Sequence, residues 1–349
     1  MSSETLQTDV LIIGNGVSGL LLQYVLEHRG ISSMLLSKKN IKSNLPLAET
    51  IPPTTLELLE ELNALDFFEK YATKTYGYQS KWNSDYIVDE SFFIKNKFGY
   101  GLKIDKKKVL NIIEQNASNI LSVNEISKVQ FNEKENKVKV QKINNDIVDI
   151  SASLLVDATG RKRHFLKQAN SKSIDYDDTL AFLCYLPKTG PDLKYGFFTE
   201  VISNDCWGTV SDLNETTRII TLHTSKNNEF HKVFKQFEHW RKLLNNTTLL
   251  QFCLPDKGNF KVYGKQANSS ISSKIISNNI IGIGDAALAF DPISSHGISN
   301  AIYTVKEAAM AIEEYLNHNQ ESLVKYEQKL YAIFNEYLKQ KEKLYQVIH

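Results

Sequence analysis

Two glycine-bearing blocks near opposite ends of the sequence carry the residue types best suited to hold a nucleotide. The first, Gly14-Asn15-Gly16-Val17-Ser18-Gly19, follows the apolar run Val10-Leu11-Ile12-Ile13 and precedes Leu20-Leu21-Leu22-Gln23-Tyr24-Val25-Leu26. That order predicts strand, tight turn and helix. Gly14 permits the turn, Gly16 lets the backbone approach a pyrophosphate, and Gly19 lets the helix pack on the strand, so that the phosphate rests at the positive helix end with Val17 and Ser18. The second block runs from Gly284-Asp285-Ala286-Ala287-Leu288-Ala289-Phe290-Asp291-Pro292 to Gly297-Ile298-Ser299-Asn300-Ala301. Asp285 at a strand end can accept hydrogen bonds from polyol hydroxyls while its two alanine neighbours leave room; a helix N-cap is the alternative for it. Beyond Pro292, Gly297 and Ile298 open a helix whose N–H groups favour negative charge.

The elements that position these blocks follow from periodicity. A helix ending at His28-Arg29-Gly30 and a strand at Ser33-Met34-Leu35-Leu36 complete a βαβ unit. Where an acidic residue usually ends the second strand and holds the adenosine ribose, this chain has Ser37, Lys38 and Lys39. The basic pair admits a 2′-phosphate, hence NADP, but the second block fits a flavin's ribityl chain and ring instead. Pro52-Pro53 leads into leucines at helical spacing, and 105–117 reads as a helix. The aromatic-rich segment 76–100 reads as strands and a loop over a cavity, with plain core as the alternative. Strands are expected at 137–140, 146–150 and 153–157. From about Phe165 to Gly264 alternating strands are expected, and Asn279 to Gly284 returns to a buried strand. Helices are expected from Ile298 to Tyr315 and from Glu321 to Tyr345. The resulting division is a discontinuous nucleotide domain (1–75, 101–165, 265–320), a substrate sheet domain (76–100, 166–264) and a C-terminal helix (321–349).

Composition sets outer bounds. The 349 residues are 42% hydrophobic and 23% charged, ordinary for a globular chain, and 41 basic against 40 acidic residues give a net charge of +1. That balance favours neither nucleic acid nor an anionic membrane as partner. Cys184, Cys206 and Cys253 lack the paired spacing of a zinc or redox site and read as free thiols, and no metal site is expected. The polar N-terminus and the lack of a membrane-length apolar run lead to an expected cytoplasmic location.

Together with Asp157-Ala158-Thr159-Gly160-Arg161, the two blocks resemble the para-hydroxybenzoate hydroxylase type of FAD-binding fold, shared by aromatic monooxygenases, flavin-dependent halogenases and geranylgeranyl-reductase-like enzymes. The resemblance implies an α/β class with an α+β second domain: a GR2-type Rossmann FAD-binding fold with an inserted antiparallel-sheet substrate domain and C-terminal helices. Glu49-Thr50-Ile51-Pro52-Pro53, Ser80-Lys81-Trp82, Gly99 to Lys106 and Asp291 to Gly297 are similar to flavoproteins that hydroxylate a tryptophan side chain of a partner polypeptide during quinone cofactor assembly. Two departures stand out: that family usually has Arg where Lys106 stands, and many of its members are longer.

The resemblance implies an FAD-dependent monooxygenase that oxygenates an aromatic ring, a small molecule or a Trp or Tyr side chain of a peptide or carrier-bound substrate, through a flavin hydroperoxide. Lys106, Asp157, Gly160 and Arg161 join the cofactor-binding set. Glu49 is a candidate acid or base, or an exposed loop carboxylate. His296 could relay a proton, and Pro292 shapes the loop beside the ring. Trp82, Phe197 and Trp207 line a substrate pocket or serve as core. Electrons would come from NAD(P)H or a separate flavin reductase. The alternatives are a halogenase, although its usual Trp-x-Trp-x-Ile-Pro block is absent, a saturase, and an FAD-binding maturation partner without turnover.

Overall fold

The computed structural model describes residues 4–38, 45–82, 84–91, 97–132, 135–203, 205–294 and 296–346. The apolar stretch read as the first strand extends over Glu4–Ile13 and pairs in parallel with Ser33–Lys38 on one side and Ile147–Asp157 on the other. Ile120–Gln130 and Ile280–Gly282 extend this sheet outward, again in parallel. Asn136–Lys142 runs antiparallel between the distal halves of its two long neighbours. The runs expected as separate strands at 146–150 and 153–157 form one continuous strand, because its burial is nearly unbroken and no turn residue interrupts it. The central stretches 10–13, 34–36 and 154–156 are aliphatic and buried, as parallel strands covered by helices must be, while Ile120–Gln130 and Asn136–Lys142 carry exposed polar residues.

One face is covered by the helices Val17–His28 and Gly297–Leu316 and the C-terminal helix Glu321–Gln346, which share one core including Leu20, Leu22, Ile302, Val305 and Phe334. The other face packs Leu11, Leu36 and Leu155 against Phe165 and Leu166. Those two residues belong to a short helix, His164–Gln168, where strand alternation had been expected from Phe165. Ser173–Asp175 pairs with Ser270–Ser272 and thus lies in a small sheet beside the second glycine block, not in the substrate sheet.

The second large sheet has the order Val262–Gln266, Thr179–Pro187, Thr217–Ser225, Cys206–Asp212, Phe197–Ser203, Gly77–Lys81, Val88–Ser91. Alternation along a strand sends neighbours to opposite faces. Phe198, Val210, Ile220 and Leu222 therefore point to one side, where they pack on Phe234, Phe237 and Trp240. Those partners sit on short helical turns at 230–253, a region also expected as strands. Phe197, Trp207 and His223 take the other face, Trp207 standing opposite both Val201 and His223 across the ladder.

Candidate cofactor and active site

The three loop blocks meet at the ends of the parallel strands. Ala158 donates its N–H to Ile13 O at 2.9 Å and Ile283 donates to Asp157 O at 3.2 Å, drawing the turns after all three strands together. Contact is so close that glycine is required: a Cβ on Gly14, whose φ is +125°, would sit 2.3 Å from Ala158 O. A Cβ on Gly19 would meet Gly14 O at 1.8 Å, and one on Gly284, at φ +53°, would meet Ser18 Oγ at 2.2 Å. In contrast, a Cβ on Gly16, Gly160 or Gly297 would meet nothing within 4 Å. Tight glycines fix the turns and open glycines face a space in which a ligand backbone could lie.

Two helices end at that space. Val17–His28 begins after Gly16, with no side chain capping it and no acid in its first turn. Gly297–Leu316 begins after His296 in the same way. Helix starts normally attract an acceptor side chain or an acidic residue. Two positive ends lacking both, beside open glycines, fit a ligand with a diphosphate at one end and an anionic ring edge at the other. Thr304, about two turns into the second helix, accepts the Gly284 N–H at 2.8 Å and so locks the turn to the helix.

A line of charge crosses the same region. Lys106 Nζ lies 3.0 Å from Glu49 Oε1, and Arg161 Nε lies 3.6 Å from Asp285 Oδ2. The Glu49 carboxylate holds the Lys106 ammonium above its usual range against the effect of burial, with Asp285 adding to the pull. Glu49 is thus engaged, not a free loop carboxylate. Arg161 donates to the carbonyls of Asn268 and Phe290, which makes it a brace for the second glycine block. Arg163, unremarked in the sequence and 2% exposed, does the same through Ala286 O and Ser270. Asp157 accepts from Thr159 N–H and hydroxyl and from the N–H groups of Phe165 and Leu166. Its visible work is to shape the Ala158-Thr159-Gly160 turn. Ser37 is buried and accepts from Asn15 Nδ2 at 3.0 Å, while Lys38 is exposed at the strand end; Lys39 and Ser295 lie outside the described residues. His296 is exposed, its ring edge-on to Phe290 at 6.3 Å. Pro292 opens a helical turn over Pro292–Ser294.

Trp82 and Trp207 come together, with ring centroids 5.7 Å apart, but around a third ring from the C-terminal helix. Tyr345 lies edge-on to Trp82 at 5.9 Å and its hydroxyl accepts the Trp207 indole N–H at 3.0 Å. Trp82 donates to Leu344 O at 2.9 Å. Phe197 shares the sheet face with Trp207 but stands further along it. Sequence reasoning missed Tyr337, Lys341 and Tyr345, although their spacing of four marks one helical face. Two surface concavities, one bordered by Thr5, Lys128 and Asp149 and the other by Glu27, Ser33 and Asn119, lie away from these groups. Among the described residues no group of three or more His, Cys, Asp or Glu could hold a metal, and no helix is long and apolar enough to cross a membrane. The three cysteines are buried and unpaired.

Glycine turns at strand ends, uncapped helix starts and a second sheet facing them define a flavin-nucleotide-binding fold of the para-hydroxybenzoate hydroxylase type. Residues 7–340 match the FAD binding domain model, and the chain belongs to that family; it is an FAD-dependent oxidoreductase. It is 21% identical over 347 residues to the FAD-dependent oxidoreductase LodB of Marinomonas mediterranea, covering 97% of this chain and 92% of LodB. It is 23% identical over 320 residues to a 1H-pyrrole-2-carbonyl-[peptidyl-carrier protein] chlorinase of Pseudomonas fluorescens, covering 82% and 71% of the two chains. In fold it is similar to the peptidyl tryptophan dihydroxylase QhpG, with a TM-score of 0.76 at 14% identity over 98% of this chain and 76% of that one.

Proposed function

We propose that the chain is a monooxygenase that hydroxylates an aromatic ring, most suitably a Trp or Tyr side chain presented by a peptide or carrier. One observation carries the reading: the Tyr345 hydroxyl bridges Trp207 of the second sheet and Asp291 of the flavin turn, at 3.0 and 3.1 Å, so the aromatic face of that sheet adjoins the turn. Bound FAD would supply the oxygen-activating redox chemistry. In this reading the chain's own residues act as follows. The Gly14–Gly19 turn and the helix start behind it hold the diphosphate, with Lys106 as a further cation oriented by Glu49. Asp285 accepts from ribityl hydroxyls. The N–H groups at Gly297 and Ile298 stabilise negative charge on the pyrimidine edge. Phe197, half-buried, excludes water and faces the ring to be oxidised, while Trp207, 1% exposed, packs behind it with His223 and Tyr345. His296, at the mouth of the turn, is placed to exchange a proton with solvent.

The names of the chlorinase and the tryptophan dihydroxylase support a macromolecule-borne substrate, each acting on a peptidyl or carrier-bound group. A second reading, halogenation, has one observation in its favour besides the chlorinase likeness: burial pulls the Lys103 amine down to about 8, so part of it is an uncharged nucleophile near neutrality. Lys103 Nζ donates to Gly196 O at 3.0 Å, next to Phe197. Mass spectrometry of a Trp- or Tyr-containing peptide incubated with the FAD-loaded protein, a flavin reductase, NADH and isotopic oxygen separates the readings. Hydroxylation adds one labelled oxygen with or without halide. Product that forms only with chloride or bromide, and carries the halogen, overturns it in favour of the second.

A further inference from the structure

Besides Arg161 and Arg163, the end of the chain holds the Asp291-Pro292 turn. Asp291, 1% exposed, precedes Pro292 and accepts the Ile293 N–H at 2.8 Å. Three further contacts of its polar atoms come from the C-terminal helix. Tyr337 hydroxyl accepts the Asp291 N–H at 2.7 Å, Tyr345 hydroxyl donates to Oδ2 at 3.1 Å, and Lys341 Nζ stands 3.2 Å from the same oxygen. Residues 337, 341 and 345 are spaced four apart, so one stripe of one helix clasps one turn. Lys341 is itself only 14% exposed and bridges two acids, Asp291 and Asp177, while donating to Ser269 Oγ at 2.9 Å.

We propose that Lys341, with Tyr337 and Tyr345, forms a positioning set for the cofactor: the C-terminal helix fixes the Asp291-Pro292 turn, the turn fixes the N–H end at Gly297, and flavin affinity depends on all three. The proposal rests on the cofactor lying at these turns. Removing a buried cation from between two carboxylates makes Asp291, whose carboxyl burial already pushes up, either take up a proton or turn toward water, and both change the turn it belongs to. Binding groups must stay within about half an ångström of their working geometry to keep their effect. Pro292 restricts the turn to few backbone solutions. Tyr345 adds a link to the second sheet, since its hydroxyl joins Trp207 to Asp291 through a single oxygen.

The test is the equilibrium binding of FAD, read by flavin fluorescence and by the shape of the bound visible band, in wild type, Lys341→Met, Lys341→Arg and Tyr345→Phe, each checked for folding by circular dichroism. The expected results are a loss of affinity on the order of tenfold or more for Lys341→Met and recovery to within about threefold of wild type for Lys341→Arg, which keeps the charge. Tyr345→Phe keeps the ring packing, loses both hydrogen bonds, and is expected to weaken binding about fivefold with an altered band. Folded Lys341→Met and Tyr345→Phe proteins that bind FAD with wild-type affinity and band overturn the proposal. If Lys341→Met does not fold, Tyr345→Phe alone decides in the same way. Wild type that fails to bind FAD would instead overturn the cofactor placement beneath it.

Discussion

His223 shows how a single residue can be set by the sheet that holds it. It is 3% exposed, stacked on the Trp207 indole at 3.7 Å and 12°, with no hydrogen-bond partner for Nδ1 among the described residues. Burial holds it neutral and pulls its pKa down to about 3. In the unfolded chain a histidine titrates near 6.5, so below that pH the unfolded state takes up a proton that the native state refuses. Stability contributed by the neutral ring is therefore complete above about pH 6.5 and falls by roughly 1.4 kcal/mol per unit as the pH drops toward 3. Asp177 gives a separate window: burial pushes its carboxyl up, but Lys341 overcomes this and brings it down to about 2, so its contribution is lost only below about pH 4. Urea unfolding of wild type and His223→Phe at pH 7 and pH 5 should show a smaller acid loss in the variant; equal losses would refute the assignment. Residues of this kind are not legible in sequence, because a histidine on an alternating strand does not reveal which face is dry. Gly14 and Gly19 are legible, because only glycine survives backbone contact at about 2 Å, and Gly284 because its φ of +53° favours glycine.

At the scale of elements, the second sheet is stapled by Arg218. Its side chain is wholly buried, bonds Asp212 Oδ1 at 2.6 Å, and donates to Thr189 O at 2.6 Å and Pro191 O at 3.0 Å. It thereby ties two strands to the loop that follows Thr179–Pro187. Arg218→Met removes the partner of a mostly buried carboxylate and two carbonyls, with Lys188, 3.3 Å from Asp212, as partial compensation. The expected cost is about 3 kcal/mol, seen as a lower urea midpoint with unchanged m-value. A change under about 0.5 kcal/mol would show the network to be passive. Strands with clean alternation, such as Asn136–Lys142, could be read from the sequence. The short turns at 230–253 could not, since apolar runs of four or five residues fit either a strand or a helical turn. The C-terminal helix was legible as a helix but not as part of the site: a spacing of four shows a shared face, while the Asp291 and Asp177 that the face meets are far away in sequence.

For the molecule as a whole, the order of the three loop blocks along the chain carried the fold, since each ends a strand of one parallel sheet and they must converge. The relation between the two sheets was not legible. It depends on side chains such as Tyr345 and Arg161 that bridge segments remote in sequence. The proposed function requires one physical arrangement, in which the turns at Gly14, Gly160 and Gly284 and the helix starts at Val17 and Gly297 would enclose a single flavin nucleotide. The most direct measurement is titration of the folded protein with FAD beside a Gly14→Val control, following flavin absorbance after removal of free ligand. Wild type should retain stoichiometric yellow flavin, and Gly14→Val, whose side chain collides with Ala158 O, should retain none. Folded wild type that stays colourless, or a Gly14→Val protein that binds FAD as well as wild type, would contradict the arrangement.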